Sequence, residues 1–413
     1  MSMLQTCKQI ACHQASNLVR AASGTPLTPV PLASMTLDID DVELAHRWIL
    51  DRSHWDDIRP INDFESAFAE WNGSRSAFSF LGGRVALSAA IYALGLQPGD
   101  EVVLPGYTCV VVPNAFHFAG VKVVYCDIEL DTWGIDVASM EARLTPRTRA
   151  VLIQHLYGLV CRDYESILHL SQRRGLRVIE DCAHATGAIY RGTKVGNRGD
   201  IGFYSSEQSK VFNTTQGGVA VTNDPRLAER LAEYQRRAPL PDADRTERLL
   251  YTLILNYHQN KDSQSWWRGD WTNLRYGDKR LISTTLEEEQ GIRPAHYGAR
   301  MPAPIAALGL NQLQKIDQYN ELRRQTARRW AQWCDDNGYR QPAVIEGSKP
   351  VYVRYPVLVE PERKANPTWA NALGVELGVW FVSQIHPVAT PVTNCPAAAE
   401  AVARSINFPT IYL

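Results

Sequence analysis

Apolar residues in this chain fall into short, β-branched-rich runs near 76–81, 101–104, 121–126, 150–154, 176–180, 200–204 and 218–222. Each run is too short for a helix and is apolar at consecutive positions, the pattern of a strand covered on both faces. Helical spacing recurs between and around them. Phe64, Phe68 and Trp71 stand four and three apart ahead of Gly73, and an alanine-rich stretch follows Gly83. A charged helix is predicted over 223–236, and another over Ala306–Leu313 that continues into a basic stretch around Arg323 and Arg324. Strands alternating with helices predict an α/β fold with a mostly parallel central sheet and helices on both faces.

A chain of 413 residues is long enough for two domains. A proline-punctuated arm is expected over 1–45 and a large domain over 46–315. A smaller α+β domain is expected over 316–413, with a strand at Val351–Val359. Inside the large domain, 237–297 fits no familiar pattern. Its Trp266-Trp267-Arg268-Gly269-Asp270-Trp271 cluster suits either a packing surface or a substrate entrance. Net charge is −1, from 43 basic and 44 acidic residues, so neither a nucleic acid nor an acidic membrane is an expected partner. Eight cysteines without a CxxC pair point to no zinc site, no disulfide framework and no metal. The N-terminus lacks a basic start followed by a long apolar run. The most apolar region, Val102–Tyr125, is interrupted by Pro105, Pro113 and Asn114. A cytoplasmic protein without a membrane span is therefore expected.

Chemistry concentrates between Val178 and Val221. A strand ending at Glu180 and Asp181 places an acid at its carboxyl end, which in parallel α/β sheets faces the ligand crevice. Lys210 follows in Ser-Glu-Gln-Ser-Lys, shortly before Gly217-Gly218. A strand-tip acid and a lysine in a glycine-bounded turn suit pyridoxal phosphate: the amine joins the cofactor's aldehyde, and the acid keeps the pyridine nitrogen protonated. Upstream, the strand Phe78–Leu81 feeds through Gly82-Gly83 into a helix. Free N–H groups at that helix start suit a phosphate.

The order of these pieces resembles the DegT/StrS family of nucleotide-sugar aminotransferases, within the fold type I superfamily of pyridoxal phosphate enzymes. The matching residues are Val178-Ile179-Glu180-Asp181, Ala183 and His184, Gly187-Ala188, Gly196, Gly199-Asp200-Ile201-Gly202, Ser205, Lys210 and Gly217-Gly218. The resemblance implies that Asp181 pairs with the pyridine nitrogen, that His184 lies near the ring hydroxyl and that Ser205 binds the phosphate. Lys210 is then the covalent attachment point, and Gly82, Gly83 and Arg84 occupy the phosphate turn. Arg84 stands in place of a threonine. Its guanidinium either grips the phosphate or points away and leaves the backbone to bind it. Cys109 stands where the family carries a ring-stacking aromatic, so either Tyr107 reaches over the cofactor ring or Cys109 packs there. His155, in an intact His-Leu-Tyr-Gly motif, either faces the substrate or bonds to neighbouring loops. Gly298 falls where the family has an asparagine that reaches the other subunit's phosphate, and Arg300 remains nearby as a candidate substrate contact.

The function implied is transamination from an amino acid donor, glutamate in most relatives, to a keto group of a nucleotide-linked sugar or related natural-product ketone, in a homodimer. Relatives that dehydrate sugars replace the lysine, and this chain keeps it. A cyclitol aminotransferase, a dehydratase and a non-catalytic homologue are the alternatives.

Overall fold

The computed structural model describes residues 36–260, 273–389 and 392–411, together with Val30 and Leu32. The Trp266–Trp271 cluster and most of the N-terminal arm lie outside the described residues. Seven strands build the central sheet and are labelled in chain order: β1 (Ser76–Phe80), β2 (Glu101–Pro105), β3 (Lys122–Cys126), β4 (Thr148–Gln154), β5 (Arg177–Asp181), β6 (Ile201–Ser205) and β7 (Gly218–Thr222). Their spatial order is β1-β7-β6-β5-β4-β2-β3. β7 runs antiparallel to both neighbours, β1 and β6, while the other pairs are parallel.

The apolar runs locate these strands to within about two residues. The differences arise where backbone pairing carries a strand into polar sequence. β4 begins at Thr148 because Thr148 pairs with Glu101, and β5 extends to Asp181 because Asp181 is flanked by Gln154 and Phe203.

Both faces of the sheet are buried, as consecutive apolar residues require. Val103, Val151, Ile153, Val178 and Val219 join one core, covered by the helices Ile39–Leu50, Arg59–Asn72 and Ala243–Asn260. Val102, Leu104, Leu152, Ile179 and Ala220 join the opposite core, under Gly83–Leu94, Val111–Phe118 and Pro225–Arg237. The predicted Phe64 and Phe68 both reach zero exposure in the first core.

The long helix Ala303–Asn337 spans two environments. Ile305, Leu308 and Ile316 enter the core of the sheet. Trp330 and Cys334 enter a third cluster, where Trp330 stacks on Phe408 with ring centroids 4.3 Å apart. In that C-terminal region Tyr355–Leu358 pairs antiparallel with Ser405–Phe408. Among the described residues, no helix is long and apolar enough to cross a membrane.

Candidate active site

A cavity of about 690 Å³ opens at the carboxyl ends of β4, β5 and β6 and is lined by Gly82, Gly83, Cys109, Asp181, His184, Ser205 and Lys210. The strands fix two of these groups directly, since Asp181 ends β5 and Ser205 ends β6. Lys210 sits in the loop between β6 and β7. That loop is closed by hydrogen bonds from the Ser206 N–H to the Gly217 carbonyl and from the Thr214 N–H to the Ser206 carbonyl, both 2.9 Å. Arg323 of the long helix is buried and donates to the Val211 carbonyl at 2.6 Å, which holds the backbone immediately after the lysine. No sequence motif marks that role; only the tertiary contact shows it.

Among the described residues the lysine amine makes no ion pair. Its Nζ lies 3.0 Å from His184 Nε2, and His184 Nδ1 accepts the Tyr157 backbone N–H at 3.3 Å. An imidazole that accepts at Nδ1 carries its proton on Nε2, so it can donate to Lys210 only if the amine is uncharged. Burial lowers the lysine's pKa below its ordinary value, against the opposing charges of Glu207, Cys109 and Asp181 and with a smaller contribution from the Arg354 guanidinium. Burial, then the charges of Lys210 and Arg354, holds the His184 imidazole well below its own. Asp181 is shifted the other way. Burial pushes its carboxyl up to about 6, against the Ala183 backbone N–H that it accepts and the charge of Lys210.

At the other end of the cavity the chain forms a close cradle. Gly83 starts the helix Gly83–Leu94, and a Cβ placed there would lie 2.9 Å from Ser205 Cβ. Behind the turn, a Cβ on Gly218 would lie 2.4 Å from the Gly82 carbonyl carbon. The helix N–H groups and the Ser205 hydroxyl therefore approach one point, with room for a phosphate and none for added side chains. Gly83→Ala is expected to weaken cofactor affinity at least about tenfold by wedging the turn away from Ser205, as read by spectroscopic titration of the cofactor-free protein.

Several expected contacts fall elsewhere. Arg84 lines the cavity, but its guanidinium is engaged by the cavity wall: it pairs with Glu288 and donates to the Ser283 carbonyl at 2.8 Å. Tyr107 does not reach over the cavity. Its ring is fully buried edge-on against Phe381, and its hydroxyl lies 3.2 Å from that of Tyr157. Cys109 is the one of the two that lines the cavity. Arg300 backs the phosphate turn through a bridge with Phe80, outside the cavity lining.

His155 is fully buried with both ring nitrogens engaged, which leaves none for a substrate. Nδ1 accepts the Cys161 N–H at 3.3 Å and Nε2 lies 3.2 Å from Glu180. Glu180, adjacent to Asp181 on β5, points to the opposite face of the sheet. Its carboxylate also accepts the Tyr164 hydroxyl and the backbone N–H groups of Gly196, Arg198 and Gly199. Burial alone would raise its pKa, but the hydrogen bonds from His155 and Tyr164 hold it below the ordinary carboxylate range. Glu180→Ala is expected to cost about 3–5 kcal/mol of stability, read as a fall in Tm, because it strands these buried donors.

The structure adds residues that no motif announced. Trp380, from the C-terminal region, lines the cavity with its ring centroid 4.0 Å from that of His184 and 4.9 Å from Lys210 Nζ. The Arg354 guanidinium stacks on the same indole at 3.8 Å. The 237–297 segment roofs the cavity through Arg245, Arg248, Arg280 and residues 281–285.

A sheet of this order, with a buried acid at the tip of β5 and a buried lysine in the loop after β6, fits a fold type I pyridoxal-phosphate-dependent transferase. The chain belongs to the DegT/DnrJ/EryC1/StrS aminotransferase family, whose model matches residues 38–412. The L-glutamine:2-deoxy-scyllo-inosose aminotransferase of Streptomyces paromomycinus is 30% identical over 374 residues, 89% of this chain and 78% of that protein. The GDP-perosamine synthase of Caulobacter vibrioides is 41% identical over 173 residues, 42% of this chain and 46% of that protein. The match to the synthase thus spans less than half of its length. In fold, the structure of NtdA from Bacillus subtilis with bound cofactor PMP is similar at a TM-score of 0.68, with 21% identity, covering 91% of this chain and 78% of that one.

Proposed function

We propose that this protein transfers an amino group from an amino acid, glutamate or glutamine, to a ring ketone of a nucleotide-linked sugar or a related natural-product ketone such as a cyclitol. The observation that carries the reading is the presence of a buried Lys210, within hydrogen-bond reach of His184, and a buried Asp181 in one cavity. The bound cofactor supplies an electron-accepting ring. Asp181 holds the positive charge of the ring nitrogen, and Gly82, Gly83 and Ser205 hold the phosphate. Lys210 Nζ, freed by the donor's amine, takes the proton from the donor's α-carbon and passes protons between the reacting carbons. His184 keeps that amine oriented, and Trp380 forms an apolar wall beside it.

Retention of Lys210 favours amino transfer over dehydration. A cyclitol acceptor is favoured by the inosose aminotransferase match, which extends over 89% of the chain; a nucleotide-linked sugar is favoured by the higher identity to GDP-perosamine synthase over a shorter stretch. We read the working form as a cytoplasmic homodimer. The long helix Ala303–Asn337 links a large domain ending near 315 to a small domain over 316–413, because its two halves bury side chains in different cores.

Incubating the holoenzyme with glutamate or glutamine and a panel of keto-sugars and inososes, read by mass spectrometry, tests the reading. An aminated product is expected from at least one ketone. A protein that binds no pyridoxal phosphate, or binds it and never accepts an amino group from any amino acid, would make it a non-catalytic homologue.

A further inference from the structure

The phosphate cradle is built from neutral donors, the helix N–H groups and the Ser205 hydroxyl, whereas its ligand is a dianion. Positive charge must come from side chains nearby. Arg84 is committed to Glu288, whose side chain is only 3% exposed. Arg248 donates to the carbonyls of Lys279 and Arg280, and Arg280 to the side-chain oxygens of Asn256 and Gln259, so both fasten the roof. Gly298, at the position of the family's phosphate-binding asparagine, offers no side chain.

Arg245 differs from these. It projects from the helix Ala243–Asn260 into the lining of the same cavity. One Nη donates to Gln216 Oε1 at 3.0 Å. Gln216 directly precedes Gly217-Gly218, and Gly218 is pressed against the back of Gly82. The arginine is thus tied to the rear of the phosphate turn. Its Nε is buried without a partner. Among the described residues no carboxylate pairs with its guanidinium, and Asp242 accepts only its backbone N–H, at 2.7 Å. Burial and the neighbouring guanidinium groups of Arg84 and Arg248 lower its pKa, while Asp242 and Glu288 oppose them only in part. A bound anion would relieve that strain and occupy the idle donor.

We propose that Arg245, supplied by the 237–297 segment of the same chain, is the cationic partner of the cofactor's phosphate. The proposal rests on the cofactor site described above. It makes the unusual segment part of the cofactor site and gives it a role that Arg84 and Gly298 leave open.

The test compares pyridoxal phosphate with pyridoxal, which lacks the phosphate, in absorbance titrations of cofactor-free wild type, R245Q and R245K. R245Q is expected to weaken pyridoxal phosphate binding roughly 10- to 100-fold and to leave pyridoxal binding unchanged, with R245K intermediate. Unchanged pyridoxal phosphate affinity would overturn the proposal. Equal weakening of both ligands would also overturn it, because that marks a packing role. So would a loss confined to nucleoside diphosphate binding, which would place the arginine in the acceptor's site instead. Should R245Q not fold, R245K decides by the same comparison. A wild-type protein that binds neither pyridoxal compound would sink the cofactor reading itself, a separate failure visible before any variant is made.

Discussion

Lys210→Ala is expected to lower the transamination rate by at least about 10³-fold while leaving Tm within a degree or two of wild type. The loss has two sources. On the proposed reading the amine is the point of covalent attachment, and it also lies within hydrogen-bond reach of His184 Nε2, at 3.0 Å. Burial depresses its pKa, against the charges of Glu207, Cys109 and Asp181. Borohydride treatment of the loaded wild type should fix the cofactor's mass on the peptide that contains Lys210, and a small added amine should restore part of the activity of the alanine variant. Near-normal turnover in that variant would remove the lysine from the chemistry.

Asp181→Asn is expected to reduce the rate roughly 10²- to 10³-fold and, in the cofactor-free protein, to raise stability at neutral pH. The two effects share one cause, a carboxylate whose burial outweighs the Ala183 N–H and the charges of Lys210 and His155 that favour its ionised form. The carboxyl ionises at 3.8 when exposed and at about 6 in the folded chain. Between those values the folded state holds the proton more tightly, so ionisation opposes folding. Stability of the cofactor-free wild type should fall as pH rises from about 4 to about 6 and then level off. At 1.36 kcal/mol per pK unit the loss is on the order of 3 kcal/mol. The asparagine variant lacks that decline, and a cationic ring nitrogen above the carboxylate would offset it in the loaded wild type. Melting curves of both proteins from pH 4 to 8 check this, and parallel curves would show that the carboxylate is not destabilised.

Much of this architecture was legible in the order of residues because burial on both faces leaves a local mark. A strand covered on two sides is apolar at every position, so seven such runs locate seven strands, whereas only the family resemblance singled out Asp181 over Glu180. The lysine, its glycine pair and the turn at Gly82-Gly83 are legible for a similar reason, since each owes its role to backbone geometry within a few residues. The alternatives left open at Arg84 and Tyr107 were decided by distant partners: Glu288 pairs with the guanidinium in the cavity wall, and the Tyr157–Phe381 cluster takes the ring.

What the sequence determined by itself is therefore the α/β alternation, the acid at a strand tip, a lysine in a glycine-bounded turn and the glycine turn that opens a helix. What only the tertiary structure decided is which distant side chains surround them. His155 is spent on Glu180, Arg323 braces the lysine loop through Val211, Trp380 and Arg354 come in from the C-terminal region, and Arg245 stands with an idle donor at the phosphate end. Long side chains such as these find partners by reach and by charge, across separations from 25 residues for His155 and Glu180 to 112 for Arg323 and Val211. No local pattern records that choice until the packed core holds the partners together.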